Sequence, residues 1–128
     1  MIKKFEDLEV WQNSRDLFNE IHLLITSSDF SKDYALVNQI NRSSGSIMDN
    51  IAEGFRRAGN KEFIQYLSIS KGSCSEVKSQ PYRTMVRSCF SSEQGEILLT
   101  ISQSLKKQLV GFIHYFKHSV FYRSESQI

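Results

Sequence analysis

A single proline, Pro81, stands in a chain of 128 residues whose apolar side chains recur at intervals of three and four. Such a chain has little to interrupt a helix and, without sustained alternation of apolar and polar positions, little to specify a half-buried strand. The pattern predicts an all-α fold. A first helix is expected over about residues 7–26, with Asp7 as its N-cap, Leu8, Trp11, Phe18 and Ile25 on one stripe, and Val10, Leu17, Ile21 and Leu24 on the next. A second, over about 32–57, places Leu36, Ile40, Ile47, Ile51 and Phe55 on its buried side. Gly59 and Asn60 then supply a stop and a cap before a third, over about 60–88, whose stripe is Phe63, Leu67, Ser70, Cys74 and Val77. Pro81 falls on that same stripe. A proline inside a helix removes one backbone hydrogen bond and crowds the preceding turn, so a kink or break is expected there. Ser91 and Ser92 cap a fourth helix, over about 92–118, with Leu98, Ile101, Leu105, Leu109, Phe112 and Phe116 inward.

Four helices of this length joined by short loops predict an up-down-up-down antiparallel four-helix bundle, one domain covering residues 1–128. The middle of the second helix lacks bulk at Ser43, Ser44, Gly45 and Ser46, and Gly45 should cost about 1 kcal/mol relative to alanine. Small side chains suit close helix approach. Together with the wide apolar surface of the first helix, they make Trp11, Phe18, Ser43, Ser44 and Ser46 the candidate contacts of an oligomer.

No stretch reaches the roughly 18 consecutive apolar residues of a membrane span, and the N-terminus turns acidic at Glu6 and Asp7 before a signal-peptide core could form. Two cysteines, Cys74 and Cys89, are too few for a disulfide framework, so the expected location is the reducing cytoplasm. The paired Glu-x-x-His motifs of a di-iron bundle are absent. His114 and His118 are one turn apart but lack a third ligand and an intervening glutamate, so they are read as a surface pair. Cys74 sits on a core stripe, Asp49 and Glu53 have Arg42, Arg56 and Arg57 close by for ion pairing, and neither Gly54 nor Gly59 belongs to a phosphate-cradling loop. The expectation is a protein that is not an enzyme and takes no metal or cofactor.

Charge is distributed unevenly. Residues 1–35 hold four Lys/Arg against seven Asp/Glu, whereas residues 36–90 hold eight against four. Arg42, Arg56, Arg57, Lys61, Lys71, Lys78, Arg83 and Arg87 make up that basic middle, and they could form a ladder matching a phosphate backbone, with Tyr66 or Tyr82 for stacking. A solvated face with Glu62 and Glu76 as partners would use the same residues. The leading expectation is an oligomeric nucleic-acid-binding bundle. The alternative is a protein-interaction scaffold with an acidic protein partner.

Five strings occur in order along the first three helices: Phe5-Glu6-Asp7-Leu8-Glu9-Val10-Trp11-Gln12; Gln39-Ile40 with Arg42, Ser46 and Ile47; Asn50-Ile51-Ala52-Glu53-Gly54; Lys61-Glu62-Phe63-Ile64 with Leu67; and Gly72-Ser73 with Glu76. Together they resemble the four-helix-bundle proteins known as 23S rRNA intervening-sequence proteins, or ribosomal-protein-like proteins. The resemblance implies a ring-like homopentamer and a link to RNA, ribosomal RNA above all. A related branch, the accessory variability proteins of diversity-generating retroelements, resembles a basic pentameric barrel that binds nucleic acid and a reverse transcriptase. A reverse transcriptase or a ribosomal component is therefore the protein partner the alternative implies. This chain departs from the family pattern at Asn41, where a second basic residue is usual, at Ser43 and Ser44, near which alanines are usual, and at Pro81, in place of a leucine-like residue.

Overall fold

The computed structural model of the chain describes residues 2–26, 33–57, 59–86 and 91–118. After a 3-10 turn at Phe5–Asp7 come four helices, α1 (Glu9–Thr26), α2 (Tyr34–Arg56), α3 (Asn60–Val86) and α4 (Ser92–His118). Among the described residues there is no strand. Asp7 belongs to the 3-10 turn and does not cap α1, because Leu8, next in the chain, is extended and buried. The starts of α2 and α4 carry recognisable caps. Asp33 Oδ1 accepts from the Leu36 amide at 3.2 Å. At the start of α4, Ser91 Oγ accepts from the Gln94 amide at 3.1 Å while Gln94 Oε1 accepts from the Ser91 amide at 2.9 Å. That reciprocal pair is a capping box with glutamine in the acidic position.

Each helix packs on its neighbours in sequence and α1 packs on α4, so the four enclose one apolar interior. Residue pairs between helices climb on one and descend on the other. Arg83 meets Gln39, Gln80 meets Ser43, Ser70 meets Ile47 and Phe63 meets Phe55. Between α3 and α4, Cys74 meets Ser102 and Phe63 meets Phe116. Between α1 and α4, Asn13 Nδ2 donates to Gln108 Oε1 at 2.8 Å. Leu17, Ile21, Ile40, Ile47, Ile51, Phe55, Phe63, Leu67, Leu98 and Leu109 have no exposed surface.

α2 and α3 approach closely, and their small residues allow it. Serines in the seam are satisfied locally: Ser44 Oγ donates to the Ile40 carbonyl at 2.6 Å, Ser70 Oγ to the Ile47 carbonyl at 2.9 Å, and Ser73 Oγ to Ser46 Oγ at 2.9 Å. Returning the hydroxyl to a carbonyl removes the penalty of burying it. Farther along, Gly54 lies against Tyr66 and Phe63, where even a methyl group would collide.

α3 continues through Pro81, and no break occurs there. Pro81 and its neighbours Val77 and Gln80 are buried, so packing on both sides offsets the roughly 3 kcal/mol that an interior proline costs an isolated helix.

Trp11 is only half-buried. Its ring meets Phe5 edge-on at 5.2 Å between centroids, and the Arg15 guanidinium lies 5.4 Å from it. Trp11→Ala is therefore expected to cost the single chain about 1–2 kcal/mol, below the ~3–5 kcal/mol of a fully enclosed tryptophan. Urea denaturation of dilute protein measures this.

Candidate nucleic-acid interface

The basic residues divide into three groups, and they do not form one ladder. The first lies at the α2–α3 turn. Arg56 places its guanidinium 5.7 Å from the centre of the Phe5 ring. Arg57 donates to Glu53 Oε1 and to the Tyr66 hydroxyl, both at 2.8 Å, with its guanidinium 5.2 Å from the centre of the Tyr66 ring. Tyr66 and then Glu53 hold the Arg57 guanidinium above its ordinary range. Lys61 is exposed in the first turn of α3.

The second group lies on the α2 side of α3. Arg83 Nη2 donates to Gln39 Oε1 at 2.7 Å, which turns it away from Lys78, and Arg42 is exposed on α2. Glu76, expected as a surface partner for lysines, meets Ser43 Oγ at 3.0 Å instead. Arg87 lies outside the described residues.

The third group is on the opposite side of α3, toward α4. Lys71 and Lys78 sit there with their stems half-buried. Helix α4 brings Lys106 and Lys107 to the same edge, and the sequence reading missed both because it took α4 only as a core stripe. The signal was the antiparallel register: with Cys74 opposite Ser102, a residue near 71 has its neighbour near 105. Lys106 and Lys78 both act on the Cys74 thiol, lowering its pKa, although burial dominates and pushes it up to about 11. Lys78 and Lys107 line one open cleft of about 530 Å³ together with Tyr82, Gln103 and Ser104, and Glu96 is the acid at its rim. Tyr82 is 55% exposed. An open cleft with cations on both walls and an available ring can hold phosphate oxygens and stack a base.

The candidate oligomer contacts divide as well. Trp11, Phe18 and Ser46 keep some exposed surface, but Ser43 and Ser44 are buried inside the chain, with Ser44 fully enclosed. Their small size serves the fit of α2 within its own bundle and leaves nothing to offer a second copy. This corrects their assignment to an interface.

Among the described residues, no group of three or more His, Cys, Asp or Glu could hold a metal ion. The rings of His114 and His118 lie on exposed surface with centres 4.5 Å apart, tilted by 55°. Among the described residues, no helix is long and apolar enough to cross a membrane.

A sequence family described as 23S rRNA-intervening sequence protein matches residues 6–111. A solved structure from Bacteroides thetaiotaomicron, described as a protein with unknown function from the S23 ribosomal protein family, superposes with a TM-score of 0.73. It is 23% identical, and the match covers 81% of this chain and 97% of that one, a likeness that speaks to the fold. No curated protein matches.

Proposed function

The chain belongs to the family of 23S rRNA-intervening sequence proteins, and from that premise we propose that it is a non-enzymatic, cytoplasmic RNA-binding bundle that works as a homo-oligomer. The observation that carries the RNA reading is the convergence of Lys78 from α3 with Lys106 and Lys107 from α4, beside the exposed ring of Tyr82, with Lys71 two turns back from Lys78 on the same face of α3. Four cations from two helices can follow successive phosphates of one strand, and a tyrosine face accepts any base. Arg57 contributes less, because Glu53 and Tyr66 already occupy it.

The topology that fits the pairings is up-down-up-down, with neighbours antiparallel. Five copies in a ring is the assembly proposed, with Trp11 and Phe18 of α1 and Ser46 of α2 as its contacts. A ring repeats the lysine edge once per copy, so weak individual contacts add along one RNA.

Replacing Lys78 and Lys107 together with glutamine is expected to leave the melting temperature unchanged and to flatten the slope of log affinity against log salt by about two per engaged copy. Replacing Arg56 and Arg57 together should change the slope less. Filter binding to a single-stranded RNA between about 50 and 200 mM salt measures both. If no RNA binds at low salt while an acidic protein does, the scaffold reading replaces this one.

A further inference from the structure

The other flank of α4 has the opposite character. Two openings follow one another along its seam with α1. At one end a cleft of about 540 Å³ has Ile2, Leu8, Val10 and Phe112 in its walls, with Asp7 and Glu9 among the residues lining it. Next to it a cleft of about 470 Å³ is floored by Ile101 and Leu105, with Glu20 and Asp16 from α1 lining it, the latter paired with its exposed neighbour Arg15 at 3.3 Å. Beyond the seam, an opening of about 340 Å³ lined by α4 alone exposes Ile97 and Ile101 beside Glu93 and Glu96, the latter shared with the lysine cleft. No lysine or arginine lines any of the three. α1 also packs on its neighbours less extensively than α3 does, which is why this seam stays open.

An apolar floor beside the acidic wall that α1 and the turn before it supply has a specific complement. Nucleic acid and anionic lipid would each bring negative charge against the four carboxylates Asp7, Glu9, Asp16 and Glu20, so both are disfavoured. A helix with one apolar face and lysines or arginines flanking it satisfies floor and wall together, in the helix-in-groove manner. The lengths agree too: from Thr100 to Tyr115 α4 runs roughly 22 Å at 1.5 Å per residue, the span of a helix of about 15 residues.

We propose that the seam between α1 and α4 is a docking groove for a basic amphipathic helix of a protein partner. It stands apart from the RNA reading, since it uses the other flank of α4 and charges of the other sign.

The probe is a fluorescein-labelled 18-residue peptide with leucines on one helical face and lysines beside them, titrated into the full chain. Its control carries glutamates in place of the lysines. Saturable binding of the lysine peptide is expected, weakened about tenfold or more by Asp16→Lys with Glu20→Lys, and unchanged by Lys78→Gln with Lys107→Gln. Asp16 is well exposed and Glu20 partly so, and the reversed variant should keep the parent's circular dichroism and melting temperature. Should it fail to fold, Asp16→Asn with Glu20→Gln is used, with a smaller loss expected. Equal affinity for the two peptides, or no binding of the lysine peptide, overturns the proposal. So does a charge-reversed variant whose mass by light scattering falls below the parent's, because the seam would then join copies of this chain.

Discussion

Replacing Phe63 with alanine is expected to cost about 3–5 kcal/mol, enough to remove most of the stability of a domain this size. Phe63 has no exposed surface and stands where three helices meet. Its ring centre lies 6.1 Å from that of Phe55 on α2, and 5.8 and 4.8 Å from those of Phe112 and Phe116 on α4. Alanine there would remove the ring the other three share, and neighbours held on separate helices can close such a cavity only in part. Edge-on aromatic contacts add to the loss. Phe63→Leu keeps most of the volume and should cost far less. Urea denaturation followed by circular dichroism measures the difference, and equal midpoints for the alanine variant and the parent would contradict this account of the core.

Gly54→Ala should also destabilise, although the usual expectation for a helix interior runs the other way. Alanine in place of glycine ordinarily gains about 1 kcal/mol in a helix. At residue 54, however, a Cβ would lie 2.6 Å from the Cβ of Tyr66 and 2.9 Å from Cδ1 of Phe63. The Tyr66 Cβ is fixed to the backbone of α3 and cannot rotate away, so the two helices must separate. Overpacking of that kind costs about 1–3 kcal/mol or more, and a net loss of about 2 kcal/mol is expected. Gly72 is the internal control. It is exposed on α3 with nothing near the position of a Cβ, so Gly72→Ala should be neutral or stabilising by up to about 1 kcal/mol. Opposite signs for the two variants in one thermal melt would separate close approach from helix propensity.

The four helices were legible because an apolar stripe at a period near 3.6 admits few other readings, and residues such as Leu36, Ile40, Ile47 and Ile51 carry no competing signal. Misreadings arose where tertiary contacts outweigh local rules. Asp7 has the chemistry of a cap, but the burial of Leu8 shifts the helix start two residues on. Pro81 has the chemistry of a kink or a break; α3 does not break there, and the residue is buried. Ser43 and Ser44 were recognisable as a site of close approach, yet composition alone does not say whether the approaching helix belongs to the same chain. The same limit hid Lys106 and Lys107. A charge stripe along one helix is visible in sequence, whereas an edge shared by two helices becomes visible only once their register is known.

Cys74 offers one further consequence. Its thiol donates to the Ser102 carbonyl at 3.1 Å across the α3–α4 contact, and with a pKa pushed up to about 11 only about one in ten thousand such groups is a thiolate at neutral pH. In the folded chain it is therefore nearly inert toward alkylating agents and disulfide exchange. The reaction it does undergo proceeds through moments when α3 and α4 part and water reaches the sulfur. In a Cys89→Ser background the labelling rate of Cys74 would then count those moments, a native clock for the opening of the helix pair whose outer edge holds the lysines.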